Sequence, residues 1–330
     1  LKLLLATAQF HQQRGNTTTV LRIAKGLREH GVDVDIASLD EPLFHRDLAQ
    51  YDIFHGFHAV HTQLFLERIE SLTKPYVVTM TGTDLNVDLL DSTQSLIVQT
   101  CLKNAAAVHL FSDRDRTTLQ GELSDLDKPL FVIPQGIHPL TGSFSGSSAM
   151  AMKEKDTFLF LLPVGIRKVK NIPEAIRLFD SLSAEFPQAR LWIVGPVIED
   201  AEADVVRVMV ASRPNIDMIG EVSHQQMKVL YHQADVVLNT SLSEGQPTAV
   251  LEALIEGVPV LARDIPGNRT VVVEGKSGLI YQDGESFQRL ASRLIQDKSL
   301  RERLTQSGRE YVGQVHNPDV EIAEMLRMYR

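Results

Sequence analysis

The chain has 330 residues, 43 % of them hydrophobic, enough for two α/β domains with sizeable cores at roughly 100–200 residues each. Lys plus Arg number 33 against 42 Asp plus Glu, and the acidic excess is shared, −5 in residues 1–150 and −4 beyond. Neither half offers the basic field that nucleic acid or a polybasic membrane-docking face demands, and a lone cysteine, Cys101, excludes an internal disulfide.

The opening apolar run, Leu1 to Ala8, is too short to span a bilayer and lacks a signal-peptide pattern, so a cytoplasmic protein is expected. Strands are predicted over 2–8 (KLLLATA), 32–38 (VDVDIAS), 52–57 (DIFHGF), 76–82 (YVVTMTG), 107–112 (AVHLFS) and 130–136 (LFVIPQG). Helix-period segments separate them, such as TTTVLRIAKGLREHG, which stops on Gly31. Residues 140–156, LTGSFSGSSAMAMKEKD, carry no period and are rich in Gly and Ser, the composition of a linker, placed at 144–156. The alternation resumes at 157–165 (TFLFLLPVG), 189–195 (ARLWIVG), 215–220 (NIDMIG), 234–241 (ADVVLNTS), 258–263 (VPVLAR) and 277–281 (SGLIY). Strands spaced by helices imply parallel sheets covered on both faces. The expected architecture is two doubly wound, Rossmann-like domains, 1–143 and 157–310, facing across a cleft.

Open sheets of this kind bind ligands beyond the carboxyl ends of their strands, which directs attention to the residues that follow them. After ADVVLNTS comes SLSEGQPTAVLEALIEGVPV, with Glu244 and Glu252 eight positions apart. Pro247 suits the first turn of a helix running from Thr248 to Glu256, with Gly257 as its stop. Glu244 then lies before the helix and Glu252 roughly 7 Å along its axis. Free N–H groups at that helix end attract an anion. The pattern suits a nucleotide sugar, with sugar at Glu244, diphosphate over the helix end and ribose at Glu252. The plainer reading is two solvated glutamates on an ordinary helix.

EGQPTAVLEALIEGVPVLARDIPGN resembles the C-terminal signature of the large retaining glycosyltransferase family 4, whose members have the GT-B fold. The likeness continues through GIRKVKN (165–171), IDMIGEVSHQQMKVLYHQADVVL (216–238) and SGLIY (277–281), and more weakly through the first half. It implies an enzyme that moves a sugar from a nucleoside diphosphate sugar, most simply a UDP-sugar, to an acceptor that the sequence leaves unidentified. No cofactor and no metal are implied. Arg167 and Lys170, beside Gly165, match the basic pair that such enzymes place on the donor diphosphate. Arg offers a bidentate fork to phosphate and Lys a point charge. Gly245, Gln246 and Thr248 would bind the donor, with Glu252 at its ribose and Gly220 and Val222 at its base. Gly15 and Asn16, in RGNTTT, resemble the N-terminal glycine loop near the donor, where Gly15 would allow a tight turn and Asn16 or Thr17 cap the helix. The C-terminal segment 311–330 is expected to pack back on the first domain.

His55, His58 and His61 recur every three residues, and three imidazoles could ligate zinc. The resemblance instead puts the stretch at the ligand-facing wall, with His58 toward ligand. The segment Thr79-Met80-Thr81-Gly82 departs from the family, which commonly carries His where Thr81 stands. A hydroxyl cannot become cationic near neutral pH, so the handling of transition-state charge and the choice of sugar are altered. Thr81 and Gly82 are sugar-side candidates. Asp84 is a candidate to orient an acceptor or take its proton, or alternatively a turn aspartate. A dehydrogenase is disfavoured because no G-x-G-x-x-G occurs, and a glycosidase would not need Arg167 and Lys170. A sugar-nucleotide-binding protein without turnover is the alternative from another class.

Overall fold

In the computed structural model the described residues are 1–11, 15–41, 48–69, 73–141 and 152–330. The chain forms two compact units. The first comprises Leu1–Gly136, Ser243–Gln246 and His316–Arg330; the second comprises Ile137–Leu242 and Pro247–Val315. Residues 144–151 of the expected linker lie outside the described residues.

The first unit holds a six-stranded parallel sheet, β1 (Lys2–Thr7), β2 (Asp33–Ser38), β3 (Ile53–Phe57), β4 (Tyr76–Thr79), β5 (Ala107–Leu110) and β6 (Leu130–Val132), in the order 2-1-3-4-5-6. The second repeats the plan with β7 (Phe158–Pro163), β8 (Ala189–Val194), β9 (Ile216–Gly220), β10 (Val236–Asn239), β11 (Val260–Arg263) and β12 (Gly278–Tyr281), ordered 12-11-10-7-8-9. The strand order reverses between β1 and β3 in one sheet and between β7 and β10 in the other. Such switch points are where an open parallel sheet leaves room for a ligand.

Both faces of each sheet are dry, which is why the strands read as continuous apolar runs. Along β1, Leu4 and Ala6 enter one core while Leu3 and Leu5 enter the other. Along β7, Phe158, Phe160 and Leu162 face one layer of helices, and Leu159 and Leu161 the opposite layer. Each fully buried Leu contributes about 1.5–3 kcal/mol by leaving water.

The C-terminal segment joins the first unit from His316, five residues later than the expected Tyr311, because the helix Lys298–Val315 stays with the second. Its helix Pro318–Met328 packs on the helix Gly15–Glu29, where Ile322 occupies the space a Cβ on Gly26 would need. Arg22 clamps Glu321 through Nε (3.0 Å) and Nη2 (2.7 Å).

A polar chain runs through the same core, and its directions follow from one fixed end. His109 Nε2 meets the Ile133 carbonyl at 2.9 Å, so it must donate. His109 Nδ1 then accepts from the Thr79 hydroxyl (2.8 Å), Thr79 accepts from His55 Nε2–H (2.7 Å), and His55 Nδ1 accepts from the Tyr329 hydroxyl (2.6 Å). Burial favours the neutral imidazoles, pushing His55 well below its ordinary range and His109 down to about 4. His55 is thus a core histidine tying the C-terminal segment to β3, β4 and β5, and it has no nitrogen left for zinc.

Candidate functional site

The second unit builds its site at the switch between β7 and β10. After β7 the chain runs through Gly165 and Arg167 into a short turn, Lys168–Lys170. Ile166 holds this loop against the next one: its N–H donates to Pro196 O (2.8 Å), and its carbonyl accepts from Ile198 and Glu199. Two bonds join the loop to the residues that follow β10, from Thr240 Oγ1 to Lys170 O (2.9 Å) and from Leu242 N to Val169 O (2.8 Å). The Arg167 side chain is half-buried and makes no hydrogen bond or ion pair with any described residue. Burial normally costs a guanidinium its water and is tolerated when a partner replaces it.

The helix predicted from Thr248 to Glu256 is present with those bounds, and Gly257 ends it in the left-handed conformation. Pro247 is the cap residue rather than part of the first turn, and no side chain caps this end. Thr248, half-buried, therefore opens a helix whose first N–H groups are left to solvent or a ligand. Glu252 is 7 % exposed. Its Oε1 meets His224 Nε2 at 2.8 Å, and its Oε2 accepts from the Tyr231 hydroxyl at 2.9 Å. Each oxygen of an ionised carboxylate keeps room for a second donor. Gly220 ends β9 at φ +82°, a conformation that suits glycine, and half-buried Val222 leads into the helix His224–Gln233. Gly165, Arg167 and Lys170 thus lie on the segment that follows β7 and Thr248 opens the helix after β10, while Gly220 ends β9, Val222 lies in the loop beyond it and Glu252 is on the helix Thr248–Glu256.

Ser243–Gln246 belongs to the first unit, so the two glutamates of the motif are divided between units. Three consecutive residues anchor this tip. The Glu244 carbonyl accepts from Asn86 Nδ2 at 3.3 Å. Gly245 lies against Thr81 and Gly82, where a Cβ would come within 2.3 Å of Thr81 O. Gln246 is buried, with Oε1 accepting from Gln135 N (2.9 Å) and Nε2 donating to Phe111 O (3.1 Å), while its carbonyl accepts from Gln135 Nε2 (2.9 Å). Expected among the donor-binding residues, Gln246 has its amide engaged by protein on both sides.

Of the two readings of Asp84, the structure agrees with the turn aspartate rather than the acceptor-side carboxylate. It is fully buried, with Oδ1 accepting from Thr81 N (2.8 Å) and Gly82 N (2.9 Å) and Oδ2 from Ala59 N (2.8 Å). A carboxylate holding three amide protons shapes the Thr81–Gly82 loop and the start of the helix Ala59–Leu66; it is not placed to take an acceptor's proton. Gly15 and Asn16 also differ from expectation. The helix Gly15–Glu29 already includes both and Thr17, so Asn16 and Thr17 are first-turn residues rather than caps. Gly15 is exposed and its backbone is not in the left-handed region.

His58 follows β3 and caps the helix Ala59–Leu66 at φ +87°, ψ 116°, a strained conformation for a residue with a Cβ. Its Nε2 lies 3.5 Å from Asp88 Oδ2, its ring is 4.5 Å from that of His61, and its buried Nδ1 has no hydrogen-bond partner. Burial, opposed by His58, raises the Asp88 carboxyl above its ordinary value. Strain and an orphaned nitrogen coincide at the end of a strand beside the first switch point. Thr81 is half-buried beside buried Gly82. Among the described residues no group of three or more His, Cys, Asp or Glu is arranged to hold a metal ion, and no helix is long and apolar enough to cross a membrane. Sequence reasoning passed over Asp88, Gln135 and His224, because pairing across separate elements leaves no local spacing to read.

Residues 150–311 match the family of glycosyl transferases group 1. This part of the chain therefore carries a glycosyl transferases group 1 domain. Over 97 % of its length it is 26 % identical to glycosyltransferase 1 domain-containing protein 1 of Xenopus tropicalis, covering 94 % of that protein. Among solved structures, sucrose-phosphate synthase (tll1590) from Thermosynechococcus elongatus superposes with a TM-score of 0.84 at 17 % identity, over 100 % of this chain and 98 % of that one. Alr3699/HepE of Anabaena, in complex with UDP and glucose, gives 0.77 at 17 % identity over 99 % of both chains. The fold is GT-B.

Proposed function

We propose that this chain is a retaining, metal-independent family 4 glycosyltransferase that moves a sugar from a UDP-sugar to an acceptor nucleophile. The observation that carries the reading is the half-buried Arg167, without a protein partner among the described residues, on a loop bonded to the run that leads into an uncapped helix end. A cation and open N–H groups beyond the carboxyl ends of β7 and β10 suit a diphosphate. Alr3699/HepE, of the same fold, holds UDP and glucose, which favours a uridine nucleotide here.

Arg167 and Lys170 neutralise the charge that develops on the departing diphosphate, and the helix Thr248–Glu256 adds its dipole. Glu252 accepts from the ribose, with Gly220 and Val222 at the base. Glu244 holds hydroxyls of the sugar, and His58, Thr81 and Gly82 serve the sugar and acceptor. The bond from the anomeric carbon to the diphosphate oxygen breaks and a bond to the acceptor forms on the same face. The acceptor's proton passes to the leaving phosphate, so Asp84 is not needed as a base. Domain boundaries at 157–310 for the donor domain and 1–143 for the acceptor domain belong to the same proposal.

A thermal-shift screen of nucleotide sugars tests it, since a bound donor stabilises by RT ln(1 + [L]/Kd). UDP-sugars should raise the midpoint more than GDP- or ADP-sugars, with slow UDP release on addition of acceptor. Stabilisation without UDP release from any acceptor pool would leave a sugar-nucleotide-binding protein.

A further inference from the structure

Two Glu–His pairs join the helices His224–Gln233 and Thr248–Glu256. In one, Glu256 Oε2 meets His232 Nε2 at 2.8 Å while Oε1 accepts from the backbone N–H of Leu140 at 2.7 Å. That pair is closed by main chain and serves packing. In the other, Glu252 holds His224 and the Tyr231 hydroxyl, one helical turn nearer the end at Thr248. His224 is the first residue of its helix, four positions after Gly220 closes β9, and its side chain is 57 % exposed. Chemically the two pairs are alike, and only one stands at the carboxyl edge of the sheet.

We propose that His224 is a further donor-binding residue, which as an imidazolium bonds Glu252 through Nε2–H and offers Nδ1–H to a ribose or phosphate oxygen of a nucleoside diphosphate. The inference rests on the donor reading of Glu252 above. A neutral imidazole that donates Nε2–H to Glu252 has only a lone pair on Nδ1, whereas the cation has a second donor and a charge suited to an anionic ligand. The titratable neighbours are Glu252 on the facing helix, Tyr231 and Lys228 on the same helix, and Glu221 in the preceding loop. The hydrogen bond to Glu252 raises His224 above its ordinary value, which brings its titration toward neutral pH. Burial holds Tyr231 well above its ordinary value, so its hydroxyl stays protonated and its donation to Glu252 is constant. Glu252 is thereby fixed from one side by a constant donor and from the other by one whose charge follows pH.

The test is calorimetric titration of the full chain with UDP between about pH 5.5 and 8.5, comparing wild type with His224→Gln and His232→Gln. UDP's own titration cancels in the ratio of Kd values. Near the acid end His224→Gln should weaken UDP about fivefold, and near the alkaline end the two proteins should converge. His232→Gln should match wild type throughout. A wild-type-to-variant ratio that stays flat across the range overturns the assignment, as does an equal effect from His232→Gln. Glu252→Ala and Arg167→Ala separate this from the donor reading. If both weaken UDP while the ratio stays flat, only the role of His224 is lost; if neither does, or UDP fails to bind wild type, the donor reading falls with it.

Discussion

Gly82 and Gly245 meet backbone to backbone: a Cβ built on Gly82 would lie 2.2 Å from the Gly245 amide nitrogen and 2.5 Å from its Cα. Gly82 also sits at φ +119°, outside what an L side chain readily adopts. The contact seats the Glu244 tip against the loop that Asp84 organises, so a glycine pair far apart in sequence decides where the Glu244 backbone runs.

Substituting Ala at either glycine should therefore destabilise the protein by about 2–4 kcal/mol, from forced backbone displacement and, at Gly82, from strain. The double variant should cost less than the sum, because one displacement relieves both clashes. Urea unfolding of the three variants checks this; strict additivity, or a loss below about 0.5 kcal/mol, would argue against the contact.

Arg167→Ala should abolish sugar transfer and weaken UDP binding with little change in unfolding midpoint, since the Arg167 side chain makes no hydrogen bond or ion pair with any described residue. Arg167→Lys should recover part of the affinity, because the charge remains while the bidentate fork is lost. Calorimetry with UDP and a UDP-release assay read the two effects separately. Unaltered turnover in Arg167→Ala would remove it from the donor site.

His58→Gly relieves a residue held at φ +87°. Backbone strain of this kind is of order 1–3 kcal/mol, opposed by the loss of ring contacts. The expected result is an unfolding midpoint held or raised while turnover falls. A lower midpoint with unchanged turnover would make His58 a packing residue.

Acid should weaken the first unit through its histidine chain. His109 is held down at about 4 by burial, against about 6.5 in the unfolded chain. Below pH 6.5 the unfolded chain takes up the proton first, so stability falls as pH drops and the loss is complete near pH 4. The full contribution is about 3 kcal/mol for this one group. Urea unfolding at pH 7.5 and at pH 5, for wild type and His109→Gln, should show a smaller acid loss in the variant. Tyr329→Phe should cost about 1–3 kcal/mol at neutral pH, by leaving His55 Nδ1 without its donor.

Each of the twelve predicted strands has its counterpart in the two sheets, shortened at one end or at both. The segment read as 76–82 is a strand only over Tyr76–Thr79, because Thr81 and Gly82 turn away to meet Asp84. The helix Thr248–Glu256 was legible to the residue, since a proline before it and a glycine after it act locally. The start of the helix Gly15–Glu29 was not, because glycine and asparagine suit a cap and a first turn about equally.

What the chain's order of residues determined by itself was the alternation of apolar runs and amphipathic segments, hence two parallel sheets, and the presence of cations and carboxylates after particular strands. These follow from burial and backbone preference over a few neighbours. Tertiary structure alone decided which polar groups remain for a ligand. It gave the Asp84 carboxylate three backbone protons, tied Gln246 to Gln135, set His224 on Glu252, and left Arg167 without a partner among the described residues. The reason is physical: a buried polar group takes the nearest complementary atom, and which atom is nearest depends on the packing of elements tens to hundreds of residues apart.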